Sequence, residues 1–164
     1  VSRLKGEFER RGVLVLGLSI DTLEHHASWV QDVEHSQGIQ IRIPLIADPD
    51  RRIATLYEMV HPNLTDANTV RTLFVIDAMK RVRLSTCYPP STGRNFDEIL
   101  RAIDSLKLTT QHRVATPANW ERGDEVIALP GAVGEEGSDK PGCTLREELP
   151  YLRYMKDPSL KPAS

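Results

Sequence analysis

The chain has 164 residues, 40% of them hydrophobic and 27% charged, which excludes collagen-like and disordered classes. Its 21 basic and 23 acidic residues give a net charge of −2 with no basic block, arguing against nucleic acid or an anionic membrane as main partner. The pattern of a secretory leader and the apolar run of about 20 residues that a membrane helix needs are both lacking, so no integral membrane association is expected.

The first residues read as the end of a helix, with Val1, Leu4 and Phe8 on one face and Gly12 suited to its C-terminal turn. Val13-Leu-Val-Leu-Gly-Leu-Ser-Ile20 is apolar at nearly every position, as in a parallel strand covered on both faces. Asp21 and Glu24 form a capping-box pattern for a helix with Leu23, Val30 and Val33 inward. Ile43–Ile46 is a short strand ending at Asp48-Pro49, read as an N-cap and first helical residue. The helix after it buries Ile53, Leu56 and Val60. Thr72–Ile76 and Val82–Cys87, joined by the polar turn Asp77–Arg81, predict an antiparallel hairpin. Asn95 and Glu98 open a last helix whose inner side holds Phe96, Ile99, Leu100, Ile103 and Leu106.

This order predicts an α/β sandwich with a mixed sheet over residues 1–111. From His112 on, six prolines and five glycines crowd less than half that length, and the segment reads as loops with short strands. We therefore predict two parts, 1–111 and 112–164.

Chemistry is thin when the residues are read alone. Phosphate-binding glycine loops, a nucleophile elbow and C-x-x-C are all lacking. Glu24-His25-His26, with His35 beyond, is read as a solvated helix face and not a metal site, because adjacent helical histidines diverge by about 100°. Two cysteines are too few for a disulfide scaffold and lack metal-ligand spacing, so a reducing, cytoplasmic setting is expected. Cys87, in an apolar strand, reads as a buried inert thiol. Cys143 lies in a Gly/Pro-rich loop near Lys140 and Arg146 and reads as exposed. Arg71 opens an apolar strand and Arg94 precedes a helix N-terminus; each is either a surface residue at an element end or part of a site at one end of the sheet.

At these residues a resemblance enters. Ser85-Thr-Cys-Tyr-Pro-Pro-Ser-Thr-Gly-Arg-Asn-Phe-Asp-Glu-Ile-Leu-Arg101 resembles a segment of the one-cysteine peroxiredoxins, the peroxiredoxin 6 group. So do His112–Val126, Leu18-Ser-Ile-Asp21 with Trp29, Ile43–Asp48 and the closing Pro150-Tyr-Leu-Arg-Tyr154. The resemblance covers essentially the whole chain. It implies a thioredoxin-like peroxiredoxin sandwich with a small C-terminal extension, and Val1 falling just after the segment that carries the family's nucleophilic cysteine. Neither Cys87 nor Cys143 matches that nucleophile. A central strand is likewise implied upstream, between the Val13–Ile20 and Thr72–Ile76 strands.

The resemblance assigns Arg71 as the active-site arginine and Arg94 as the second arginine that supports it. It implies a thiol-dependent peroxidase that reduces hydrogen peroxide and organic hydroperoxides with a thiol reductant, without cofactor or metal, as a homodimer. The extension, with Trp120, Tyr151 and Tyr154, is expected to have little core of its own and to pack on the partner subunit. The phospholipase activity of mammalian members is not carried over, since Met79 stands at the position of its aspartate. The alternative is a non-catalytic thioredoxin-fold fragment that acts by binding or subunit pairing.

Overall fold

The computed structural model describes residues 1–59, 71–131 and 146–160. They belong to two compact units, Val1–Phe96 and Asp97–Ser164.

In the first unit a single 3-10 turn, Ser2–Leu4, runs into helix α1, Lys5–Arg10, which buries Phe8. Gly12 follows with φ 65°, the left-handed conformation expected there. Strand β1 is Gly17–Ser19 and pairs in parallel with β2, Leu45–Ala47. The predicted Val13–Ile20 strand is thus cut to three residues, because β2 offers only three opposite it. Leu14 and Leu16 lie outside the ladder and are exposed. Gly17 is required by close packing: a Cβ there would stand 2.6 Å from Leu45 Cδ2.

Helix α2, Leu23–Gln37, is capped by Thr22, whose hydroxyl accepts from the His25 amide at 3.3 Å. The predicted cap was Asp21. Its carboxylate is instead taken up by the Ser19 hydroxyl at 2.7 Å, and the next side-chain oxygen serves the helix. Val30 and Val33 are half-buried as predicted. Leu23 is exposed, since it lines an open groove between α2 and residues 41–45.

Helix α3, Arg52–Leu56, begins later than Asp48-Pro49 predicts, after Arg51 in a left-handed conformation at φ 57°. Asp48 still caps it, from further back: its buried carboxylate accepts from the amides of Ile53 at 3.1 Å and Ala54 at 2.7 Å. The short helix buries Ala54, leaves Ile53 half-buried, and exposes Leu56, contrary to the predicted inward position. Val60 lies outside the described residues.

Strands β3, Arg71–Ile76, and β4, Val82–Tyr88, form the predicted antiparallel hairpin, in register Arg71↔Tyr88 and Thr72↔Cys87. Asp77 closes its turn by accepting from the amides of Met79 and Arg81. Along β4, Leu84, Thr86 and Tyr88 are half-buried while Arg83, Ser85 and Cys87 are exposed. Cys87 is therefore not the buried thiol predicted, because β4 presents one of its faces to solvent. Among the described residues no ladder joins β1 to β3, where the resemblance places a further strand.

Helix α4, Phe96–Gln111, follows Asn95 directly and buries Ile99, Leu100 and Ile103 as predicted, with Leu108 in addition; Phe96 and Leu106 are half-buried. In the second unit Val114–Ala115 (β5), Val126–Ala128 (β6), Arg146–Leu149 (β7) and Leu152–Met155 (β8) make an antiparallel sheet in the order β5-β6-β8-β7. Leu108, Val114, Trp120, Val126, Ala128 and Met155 form its core. Trp120 is only 2% exposed, so this unit has a core of its own, which the proline-rich sequence concealed. The indole is anchored through Nε1–H to the Asp124 carbonyl at 3.3 Å. Tyr154 lies beneath the Arg146 guanidinium, 4.7 Å from ring centroid to Cζ, and Tyr151 is exposed.

Candidate functional site

Both arginines singled out in the sequence are served by one stretch, Tyr88–Phe96. Arg71 is the first residue of β3 and sits opposite Tyr88, at the point where β4 gives way to Pro89-Pro90. Its Nε–H donates to the Pro90 carbonyl at 2.7 Å. Among the described residues its two terminal nitrogens have no hydrogen-bond partner, so this exposed guanidinium is held at one edge and open at the other. Pro90 occupies the second position of a turn closed by the Thr92 amide donating to the Pro89 carbonyl at 2.9 Å.

Arg94 follows that turn and lies over the Phe96 ring, 5.9 Å from its centroid, a cation–π arrangement. It also acts on the first residue of the chain. The Val1 amine is held below its ordinary value, first by burial and then by the positive charges of Arg94 and Arg3.

The thiol nearest in the ladder does not share this environment. Cys87 opposes Thr72, one step from the Arg71↔Tyr88 pair. Alternation along a strand puts neighbouring residues on opposite faces, so Cys87 points away from the Arg71 face. The Thr72 hydroxyl reaches its Sγ at 3.9 Å. Cys143 lies outside the described residues.

The histidines resolve differently from the sequence reading. His25 and His35 are exposed, but His26 is half-buried and its Nε2 meets Ser19 Oγ at 2.6 Å. Ser19 gives its one proton to Asp21, which makes His26 the donor to Ser19. The trio ties the end of β1 to the first turn of α2. Among the described residues no group of three or more His, Cys, Asp or Glu side chains is placed to hold a metal ion.

Sequence reasoning singled out the two arginines but not the groups that contact them. Pro90 could have been suspected from the Pro-Pro step ending a strand, and Phe96 from an aromatic ring two residues past Arg94.

Known proteins resemble the chain over nearly its whole length. The AhpC/TSA family model matches residues 1–85, and the model for the C-terminal domain of 1-Cys peroxiredoxin matches residues 105–137. The chain is 46% identical over 159 residues to a 1-Cys peroxiredoxin of Dictyostelium discoideum, covering 97% of this chain. The chain belongs to the 1-Cys peroxiredoxins. A mitochondrial peroxiredoxin of Saccharomyces cerevisiae is 41% identical over 162 residues, covering 94% of the chain. The chain spans 66% of the length of the Dictyostelium protein and 62% of the yeast one. Among solved structures, that of a cysteine-to-serine mutant of peroxiredoxin 6 from Arenicola marina superposes with a TM-score of 0.84 at 40% identity, covering 97% of this chain and 77% of that one. The α/β, thioredoxin-like fold of this 1-Cys peroxiredoxin is thereby shown. No described helix is long and apolar enough to cross a membrane.

Proposed function

We propose that this 1-Cys peroxiredoxin acts as a thiol-dependent peroxidase in which Arg71 and Arg94 serve a thiolate other than that of Cys87, which faces away from Arg71. The observation that carries this reading is that Arg71 is tied to the carbonyl of Pro90 in the Pro89–Thr92 turn, and that Arg94 follows the same turn over the Phe96 ring. A guanidinium beside a thiol stabilises the thiolate and lowers its pKa. Its N–H fork also holds a peroxide oxygen and offsets charge on the departing one. The thiolate sulfur attacks one peroxide oxygen, the O–O bond breaks, and the sulfur leaves as sulfenic acid with water or an alcohol as the other product. One reductant thiol then attacks the sulfenic sulfur and releases water, and a second reductant thiol cleaves the resulting mixed disulfide, restoring the thiol and leaving the reductant as a disulfide.

On this reading the substrates are hydrogen peroxide and organic hydroperoxides, without cofactor. Residues 1–111 carry both arginines. The extension from His112 contributes to a homodimer, borrowing the last turns of α4 for its own core. The two cysteines and the lack of a disulfide scaffold favour a reducing, cytosolic setting, although one relative is named for the mitochondrion.

A second reading is favoured by Cys87: no described thiol stands on the Arg71 face, as befits a fragment that acts by binding or pairing with an intact subunit. Peroxide consumption by the native polypeptide with a thiol reductant separates the two. Turnover abolished by prior alkylation supports the peroxidase; no consumption, with stable capture of an intact subunit, supports the binding fragment.

A further inference from the structure

A guanidinium carries five N–H donors in a rigid plane, so fixing one edge fixes the direction of the others. For Arg71 the fixed edge is Nε, and what fixes it is the main-chain carbonyl of Pro90, nineteen residues away in sequence. A backbone carbonyl points where its turn sends it. The turn Pro89–Thr92 has Pro90 and Ser91 as central residues, and the peptide between them contains the carbonyl in question.

Two turn types accept proline at the first central position, and they differ by turning that middle peptide over. Type II needs a positive φ at the second central position. Ser91 is not among the residues with positive φ, so the turn takes the type I form. The alternative would carry the Pro90 carbonyl away from Arg71 without breaking the hairpin.

We infer that Pro90 is the positioning residue for Arg71, and that the type I form of the Pro89–Thr92 turn is what keeps the guanidinium aimed. The inference rests on the peroxidase reading for its catalytic consequence, but the hydrogen bond is measurable without it. Pro90 presets φ for the turn, the turn directs its carbonyl, and the carbonyl holds Nε while leaving the two terminal nitrogens of Arg71 able to donate elsewhere. Because the fork is oriented before substrate arrives, little side-chain freedom is lost in the reaction step.

The test uses two substitutions at Ser91, an exposed residue whose side chain makes no hydrogen bond to either arginine among the described residues. Ser91→Gly creates a Pro-Gly step, the signature of type II, whereas Ser91→Ala retains the type I preference. In the native polypeptide, exchange of the Arg71 Nε proton, assigned by its loss in Arg71→Lys, is followed by NMR alongside kcat/KM for hydrogen peroxide and the pH midpoint of that rate. Ser91→Gly is expected to speed the exchange and to lower kcat/KM about tenfold, as a misaimed group does, with the pH midpoint raised. Ser91→Ala should match the unaltered protein in all three. Unchanged exchange in Ser91→Gly overturns the positioning role, and so does faster exchange with unchanged kcat/KM and pH midpoint. If the native polypeptide turns over no hydrogen peroxide, the peroxidase reading fails and takes Pro90's catalytic consequence with it, while the exchange result still shows whether the turn holds the guanidinium.

Discussion

The carboxylate of Asp48 accepts a 2.7 Å hydrogen bond from the amide of Ala54, in the first turn of α3. It caps a helix that starts four residues further on, from a position that is only 2% exposed. Burial works against the charged form here, but the amides of Ala54 and Ile53, with contributions from Asp50 and Arg52, outweigh it and hold the carboxyl below its ordinary value.

A depressed carboxyl pKa has a definite sign in stability. The unfolded chain binds the proton more readily, so the contribution is complete above the unfolded value of about 3.9 and is lost as pH falls through the lower folded value. Asp77, held down first by the Arg81 amide, acts in the same direction. Asp48→Asn is therefore expected to lower Tm at neutral pH and to narrow its difference from the unaltered protein in acid. Thermal melts from neutral pH to below the folded value check this; a constant difference across that range removes the charge from the explanation.

Arg71→Met keeps much of the side-chain volume but removes charge and donors, while Arg71→Lys keeps the charge and loses the planar fork. A lost charged hydrogen bond is worth roughly 1.5–3 kcal/mol. If it acts mainly in the transition state, the rate of peroxide reduction falls about ten- to hundredfold. The Met variant is expected to be the slower of the two and to raise the pH at which the reacting thiol ionises. Stopped-flow peroxide kinetics across pH measure both, and a well-folded Met variant with unaltered kinetics sends Arg71 back to an exposed strand end.

Cys87 is exposed and faces away from Arg71, which separates reactivity toward reagents from a role in turnover. Under native conditions it is expected to be alkylated by iodoacetamide, as mass spectrometry of the peptide carrying it will show. Cys87→Ser is expected to leave peroxide turnover unchanged in the native polypeptide. Loss of turnover in a folded Cys87→Ser protein overturns the proposal that the reacting thiol is not Cys87.

Where the sequence was readable, the determinant was local. Gly12 ends its helix because one residue must take a positive φ, and the Asp77 turn is legible in the polar run between two apolar strands. The inner side of α4 follows from its own periodicity. What escaped depends on a distant partner. The length of β1 is set by the three residues of β2, and the exposure of Cys87 by which face of β4 is covered. The same holds at the site. Arg71 and Arg94 stand in recognisable motifs, but a main-chain carbonyl has no side chain to announce it, and Pro90 meets Arg71 only once the hairpin closes.

Trp120 and Trp29 offer a direct test of where the second unit keeps its core. Trp120 is 2% exposed among Leu108, Val114, Val126, Ala128 and Met155, while Trp29 is 51% exposed on α2. Iodide is expected to quench Trp29 readily and leave a shielded fraction of fluorescence. Trp29→Phe should leave only the shielded fraction, and Trp120→Phe only the accessible one. Trp120→Phe keeps a ring but gives up the Nε1–H bond to Asp124, a loss of about 1 kcal/mol. Trp120→Ala empties the site and is expected to cost about 3–5 kcal/mol, read as a fall in the denaturant midpoint. If both tryptophans are quenched equally in the folded protein, or Trp120→Ala melts like the unaltered chain, the residues from His112 on have no such core and depend on a partner for their packing.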